Sequence, residues 1–397
     1  MANNITVLLY SSDPNVFIDA TAYVYSVNSI RGKSRALDYY EPGSVTITFN
    51  NQNRVFDPTN TSSPLYGYVK PKQRVVVTLQ AFTLFSGLID DWALNYDLNG
   101  TSIATLTASE KTSLFSNMYF VNPVTFPQEL SGSRITRVLN SSEVQWPTGW
   151  GSQVIDAGTQ LLDAQTVDAG TNVFDYIHSI ETSEQGQLFI DGTDSLKFQD
   201  SSRYLNSSIT MPVFADDNST YISSGSAIPA WKYDSIDVSY STTLLYNSIQ
   251  ALSFDGVSYA VAQVLDSISS YGKYDLELEN VLYSAYERLN SLALFLAAKY
   301  SQPEYRFDSL RLNLFALNSY DQATVMNELR LNNFAIVRFK PNSTGSTIEK
   351  YVRIIGIEHD ATPNSHTVIF RFESIKFASL VLDDPTFGKL DLNTLGL

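Results

Sequence analysis

The stretch "FDPTNTSSPLYGYVKP", residues 56–71, decides the fold predicted for this chain. It holds three prolines, one glycine and several polar turn residues, and it separates "VTITF" (45–49) from "VVVTL" (75–79). Alternation of apolar and polar residues indicates β-strands with one buried face. The sequence therefore predicts a long, stiff, ordered loop inside a β domain, and such loops usually carry contacts.

Similar short segments recur over residues 1–116, with turn signals such as Pro42-Gly43 and Asn99-Gly100 between them. This spacing favours an antiparallel barrel or sandwich. The predicted strands cover residues 5–9, 22–30, 44–49, 73–80, 84–92 and 102–108.

Residues 117–220 differ in character and are predicted to form an α/β insert domain. A helix is expected over 171–186, with Asn172 as its N-cap and Val173, Ile177 and Ile180 on its apolar face. A β-hairpin over 188–190 and 195–199 is expected to follow.

Residues 221–380 read as a second β region that a long helix interrupts at about 274–303. Leucines from Leu276 onward recur at helical spacing as far as Tyr300, and Pro303 prevents continuation. The remaining residues, 381–397, are turn-rich and are expected to form a C-terminal extension.

Composition excludes several classes of function. The chain of 397 residues has a net charge of −15 and no cysteine. The charge argues against binding a duplex by neutralising phosphates, and the missing thiols exclude disulfides and cysteine-based sites. No signal peptide is recognisable, and the apolar run near 292–298 is too short to span a bilayer. We therefore expect a soluble protein without stable membrane insertion.

The few residues that could carry chemistry form no recognisable site. His178 lies in the predicted helix, away from its apolar face, and His359 and His366 flank a predicted hairpin loop. A nucleophile elbow that could complete a triad is absent. Adjacent Asp90 and Asp91 would point to opposite faces of a strand. We expect no enzyme activity, no cofactor and no metal, with calcium in an acidic loop left open.

A resemblance runs through the chain in order. "SIRGKSRALDYYEPGSVTITFNNQNRVFDPTNTSSPLYGYVKPKQRVVV" resembles the N-terminal signature of bacteriophage minor tail proteins of the baseplate-hub, or tail-tip hub, family. The residues that carry the signature, and that form the family-motif loop with its expected subunit contact, are Arg31, Gly32, Phe56, Pro58, Asn60, Pro64, Tyr66, Gly67, Tyr68 and Pro71. "NNQNRVF" and Pro71-Lys72 replace the usual Asp-Gly and Pro-Gly turns.

Later segments continue the resemblance. They are "NVFDYIHSIETSEQGQLFIDGTDSLKFQDSSRY", "DSISSYGKYDLEL", "YSQPEYRFDSLRL", "VRIIGIEHDATPNSHTVIFRFES" and "LDDPTFGKLDLNTLGL". The resemblance implies a mainly β fold with two tail-tube-like antiparallel β-barrel domains and a helix-containing middle region. It also implies a homotrimer that forms a pseudo-sixfold ring.

Such a hub would be a structural virion protein, made in the host cytoplasm and placed at the tail tip or baseplate. Its expected partners are a distal tail or tube protein on one side and tip, spike or fibre proteins on the other, with genome DNA passing through without specific binding. A disproportionate share of the acidic surplus is then expected to face the channel, where it would keep DNA from sticking. The alternative is a generally acidic exterior that only aids solubility.

Two alternatives remain open. Some tail-tip proteins bind receptors or carbohydrates, and Trp146 and Trp150 are the best pair for stacking on a sugar. Others carry lytic activity against the cell wall. The loop could also fold entirely on its own barrel, without contacting a neighbour.

Overall fold

The protein is mainly β, with helices set between groups of strands. A computed structural model describes residues 5–13, 15–79, 82–98, 100–144, 146, 151–202, 211–216, 220–223 and 226–375. The predicted mainly β class with helix-containing inserts is confirmed. The expected C-terminal extension lies outside the described residues.

The first β region contains every strand predicted there and one more, the short β2. In β4 and β7, buried residues alternate with more exposed ones, which is the pattern that identified these strands. The strands are β1 (Ile5–Tyr10), β2 (Phe17–Asp19), β3 (Val24–Gly32), β4 (Glu41–Asn50), β5 (Arg74–Leu79), β6 (Phe82–Tyr96) and β7 (Ser102–Ser109).

The middle region contains the predicted helix and hairpin. The Asn172 side chain accepts hydrogen bonds from the backbone N–H groups of Phe174 and Asp175, as expected of an N-cap. The elements are β8 (Val124–Phe126), β9 (Glu129–Leu130), α1 (Ser131–Leu139), β10 (Gln153–Ile155), β11 (Leu161–Leu162), β12 (Gln165–Val167), α2 (Val173–Glu184), β13 (Gln187–Ile190) and β14 (Leu196–Gln199). The helix α1 was missed by the sequence analysis.

The remaining elements alternate between strands and helices. They are β15 (Val213–Ala215), β16 (Thr220–Ser223), β17 (Ser226–Lys232), β18 (Ser235–Ser241), β19 (Ser248–Ser253), β20 (Tyr259–Gln263), α3 (Leu265–Tyr271), β21 (Asp275–Val281), α4 (Tyr286–Tyr300), β22 (Glu304–Asn313), α5 (Ser319–Glu328), β23 (Phe334–Phe339), β24 (Ile348–Thr362) and β25 (Ser365–Ser374).

The predicted start of the long helix was wrong. The helix α4 begins at Tyr286, and the residues before it form β21. In "DLELE", from Asp275 to Glu279, charged and apolar residues alternate, so one face of the strand is acidic and the other contributes Leu276 and Leu278 to packing. Asn280 then adopts a left-handed backbone conformation, which no helix continues through.

One large sheet joins the two ends of the chain. Among the described residues it contains fifteen strands, and β24 is its branch point, pairing with β23, β25 and β3. The β3–β24 pairing is antiparallel and places Gly32 opposite Gly356. The N-terminal and C-terminal β regions therefore share a continuous hydrogen-bonded sheet.

The apolar residues form two main cores. The first core joins β1–β7 to the C-terminal strands of the large sheet. The second core joins the middle region to α4 and to a separate three-stranded sheet with the order β20-β19-β21. The strands predicted near residues 246–264 therefore pack with the middle region.

A buried ionic cluster connects α4 to the large sheet. Lys299 Nζ lies 2.5 Å from Glu373 Oε1, and Arg353 binds the other oxygen of the same carboxylate. Burial alone would raise the pKa of Glu373, but the charges of Arg353, Lys299 and Lys33 hold it well below its usual range. Glu373 is therefore ionised inside the protein, where α4 meets the sheet.

Candidate functional site

The loop of residues 56–71 is a succession of tight turns. The backbone N–H groups of Asp57, Asn60, Ser63 and Tyr66 each donate to the carbonyl three residues earlier, at 3.0–3.2 Å. A hydrogen bond therefore closes the chain at every third residue, and the loop has internal order of its own. The loop thus has the ordered turns that its prolines, glycine and polar residues predict.

Phe56 anchors the loop to the first β region. Its ring is fully buried, stacks on Phe49 with centroids 4.4 Å apart, and lies 5.5 Å from the ring of Trp92. Leu65 and Val69 are also buried in the first core. The inner side of the loop therefore packs into the core of the first β region.

Asp57 fixes the start of the loop. Its carboxylate accepts hydrogen bonds from Thr59 Oγ1 at 2.6 Å, from Thr59 N at 2.8 Å and from Tyr96 Oη at 3.0 Å, and Arg54 lies 2.7 Å away. Thr59 and Arg54 together hold the pKa of this carboxyl well below its usual range. The Asp-Pro dipeptide of the motif is therefore a turn locked by an ionised side chain.

The outer side of the loop presents a few exposed side chains. Tyr66 is 52% exposed, and Pro58, Pro64 and Pro71 are also exposed. Asn60 and Gly67 are half-buried, and so is Tyr68, which packs against the first core. Tyr66 rather than Tyr68 is thus the aromatic residue available to a neighbour.

The two other motif residues, Arg31 and Gly32, lie away from the loop, in a joint between regions. Gly32 has a φ of +94°, and a Cβ there would lie 2.3 Å from the carbonyl oxygen of Ile355. Only glycine fits this approach of β3 to β24. Arg31 is buried, its Nε lies 2.5 Å from Glu110, and its Nη2 donates to the Ile190 carbonyl at 2.6 Å.

Asp194 completes this joint from the β13–β14 hairpin. Its carboxylate lies 2.8 Å from Arg74 of β5 and 2.9 Å from the fully buried Lys111. The hairpin of the middle region is thus held to the first β region by charged groups. The sequence did not identify Glu110, Lys111 and Asp194 as parts of this joint. In the sequence each is a charged residue close to an apolar strand, and nothing else marks it.

The three histidines are packing residues. His359 Nδ1 and His366 Nε2 lie 3.0 Å apart and are buried between strands, while His178 stacks on Tyr39 with centroids 4.1 Å apart. Burial lowers the pKa of His366 and of His178 to about 4, and that of His359 well below its usual range. All three are neutral at physiological pH.

The described residues give little support to a metal site or to sugar binding by the two tryptophans. No group of three or more His, Asp or Glu side chains in that part of the chain could hold a metal ion. Trp146 stacks on the buried Phe115 at 5.3 Å, and Trp150 lies outside the described residues. Within the same limits, no helix has the length and apolar character needed to cross a membrane.

Comparison with solved structures gives relatives in fold alone. No family model and no curated protein sequence matches the chain. A 43 kDa tail protein of prophage MuSo2 from Shewanella oneidensis matches 94% of this chain and 96% of its own, with 12% identity and a TM-score of 0.60. A tail protein from Neisseria meningitidis MC58 matches 94% and 97% of the two chains, with 10% identity and a TM-score of 0.62.

A third solved structure is prophage tail protein gp18 from Listeria monocytogenes EGD-e. It covers 95% of both chains, with 11% identity and a TM-score of 0.52. All three structural similarities extend over almost the whole chain rather than over one part of it. The chain therefore shares the fold of these tail proteins.

Proposed function

We propose that this chain is a structural protein of a phage tail, the hub at the tail tip or baseplate. The observation that carries the proposal is the full-length likeness to tail proteins, which covers both β regions and the middle region together. The two β regions, about 1–116 and 221–380 without the part that packs in the second core, would be the two tail-tube-like barrels. Three copies would then form a pseudo-sixfold ring between the tail tube and the tip proteins.

The loop of residues 56–71 is suited to a contact between neighbouring subunits. Its turns and its buried Phe56 hold the exposed Tyr66, Pro58 and Pro64 in place before any partner arrives. A preordered loop loses little conformational entropy on docking, and a tyrosine offers a large amphipathic contact surface.

In such a ring the genome would pass through the centre without specific binding. The formal charge of −15 opposes adsorption of DNA to the protein. We expect the channel wall to be more acidic than the outer wall, and a net basic channel in the assembled ring would disprove this part. A component of the virion with this role needs no enzymatic activity.

The mass of the assembled species tests the hub. Native mass spectrometry of the purified chain, alone and with the tail-tube protein of the same phage, is expected to show a species of three times 44.2 kDa. A monomer in both samples would contradict the ring. A cell-wall digestion assay on the same sample is expected to release no fragments, and release would favour the lytic alternative.

Two matched variants test the loop contact. Tyr66→Ser is expected to weaken trimer formation without lowering stability, because this side chain is exposed. Tyr320→Ser, on the exposed surface of α5, serves as the control. Equal trimer yields from both variants would remove the loop from the interface while leaving the hub proposal in place.

A further inference from the structure

The three-stranded sheet of the second core, with the order β20-β19-β21, has an open edge at β20. Within the described residues, β20 pairs with β19 alone. Hydrogen bonds from Ser253 N to Ser258 O and from Val264 N to Asn247 O flank the paired stretch. Because bonds to one neighbour recur at every second residue of an antiparallel strand, Tyr259, Val261 and Gln263 direct their backbone N–H and C=O groups away from the sheet.

This edge lacks the features that usually protect an exposed strand. The segment "SYAVAQV", 258–264, contains no proline, no charged residue and no irregularity in its pairing with β19. The other edge of the same sheet, β21, carries Asp275, Glu277 and Glu279 and has a bulge in its pairing. The contrast leaves β20 as the edge of this sheet that is open to another strand.

The surface beside this edge is apolar. On the outer face of the sheet, Tyr259 is 59% exposed and Val261 is 42% exposed. On the inner face, α4 packs under β19 and β20. Its segment 292–298 is apolar all around, and Leu294 is 53% exposed. A helix that is apolar on every side is normally covered on every side.

The contacts of α4 show which way Leu294 faces. Lys299 and Arg288 lie on one flank of the helix and bind Glu373 and Asp163 in the body of the protein. Leu294 lies on the other flank. The exposed Leu294 therefore lies on the part of α4 that is turned away from these ion pairs.

Acidic side chains lie just before and just after β20 in the sequence. Asp255 precedes β20, Asp266 follows it in the first turn of α3, and Glu287 lies in the first turn of α4. None of the three takes part in an ion pair with a lysine or arginine of the described chain. A segment that covers the edge would therefore gain from positive charge at its ends.

We propose that β20 accepts an extended segment of another protein as a fourth strand. The segment would be cationic at its ends, with lysine or arginine near Asp255 and Asp266, and apolar at alternate positions between them. Its backbone would bond to Tyr259, Val261 and Gln263, and its apolar side chains on the outer face of the sheet would lie beside Tyr259 and Val261. This is recognition by addition of a strand to a sheet edge.

The test uses the full-length chain and a displayed library of random ten-residue peptides. Val261→Pro removes an outward N–H and keeps the bonds to β19, a change that edge strands tolerate. Val261→Thr keeps that N–H and serves as the matched control. Selected peptides are expected to alternate apolar residues between basic ends, and to bind Val261→Pro about tenfold more weakly than Val261→Thr.

Two further measurements, on a second variant and by hydrogen exchange, decide the test if Val261→Pro does not fold. Asp266→Lys changes an exposed charge at the end of β20 and is expected to weaken binding of the basic peptides. Hydrogen exchange is expected to show new protection at residues 259, 261 and 263 when a selected peptide binds.

Three outcomes would overturn the proposal. One is a set of selected peptides that protect another surface or show no basic ends. Another is protection of residues 259, 261 and 263 in the isolated monomer, which would mean that this chain covers its own edge. The third is a wild-type oligomer that Val261→Pro dissociates, which would make the occupant a second copy.

Discussion

Glu110 holds two parts of the chain at once. One of its carboxylate oxygens lies 2.5 Å from Nε of Arg31, and the other accepts the backbone N–H of Gly43 at 3.0 Å. Both side chains of the ion pair are buried. Since Arg31 also donates to the Ile190 carbonyl, the pair connects the first β region to the hairpin of the middle region.

Replacing Glu110 by glutamine should therefore destabilise the protein strongly. The variant keeps the shape of the side chain but leaves the buried guanidinium of Arg31 without its counter-charge, which typically costs about 3–5 kcal/mol. Urea unfolding measures the loss. Glu41→Gln, at an exposed position, is the control and should change the free energy of unfolding by less than about 0.5 kcal/mol. Equal stability of the two variants would contradict the role of the pair.

Phe56→Ala should detach the loop of residues 56–71 from the first β region. Removing a fully buried phenylalanine typically costs about 3–5 kcal/mol. Hydrogen exchange should show faster exchange at Asn60 and Ser63, whose N–H groups close the turns of the loop. Tyr66→Ala, which removes an exposed ring of the same loop, should leave both measurements unchanged, and slow exchange in Phe56→Ala would disprove the anchoring role.

The buried histidines predict a loss of stability in mild acid. Their folded pKa values lie below the unfolded value near 6.5, so the unfolded state binds protons first as the pH falls. Stability is complete above about pH 6.5 and should fall toward pH 4, by at most about 1.4 kcal/mol per pH unit for each histidine. In His366→Gln, which keeps a donor near His359, the slope between pH 6.5 and 5 should be smaller. An unchanged slope would contradict this.

Glu181 should behave in the opposite way. Burial raises the pKa of its carboxyl to about 8, although the backbone N–H of Leu188 and the charge of Lys33 oppose the shift. Its contribution to stability is complete below about pH 4.5 and is lost as the pH rises through 8. Glu181→Gln, which still accepts from Leu188, should equal the wild type at pH 4.5 and exceed it in stability at pH 8. If Glu181→Gln is less stable than the wild type at pH 8, the ionised carboxylate of Glu181 must itself stabilise the fold.

Local patterns predicted the strands, the Asn172 cap and the loop, because each depends on residues close together in sequence. The start of α4 was missed because Leu278 and Leu282 fit a helical spacing while Asp275, Glu277 and Glu279 fit a strand, and the strand pattern was the correct one. The joint of Arg31 with Glu110 lay beyond such reasoning. Its partners are 79 residues apart and meet because β4 pairs with β3 on one side and with β7 on the other.

The turns of the loop that begins at Phe56 also constrain how its length can change. Their hydrogen bonds repeat every third residue from Asp57 to Tyr66. An insertion of three residues would preserve the phase of this repeat, provided that it leaves in place the bonds of Thr59 to Asp57 and of Ser63 to Val55. Insertions of one or two residues would break that phase and pull Leu65 from the core. Related chains should therefore differ in loop length by multiples of three, so that the loop can lengthen without any change in the strands beneath it.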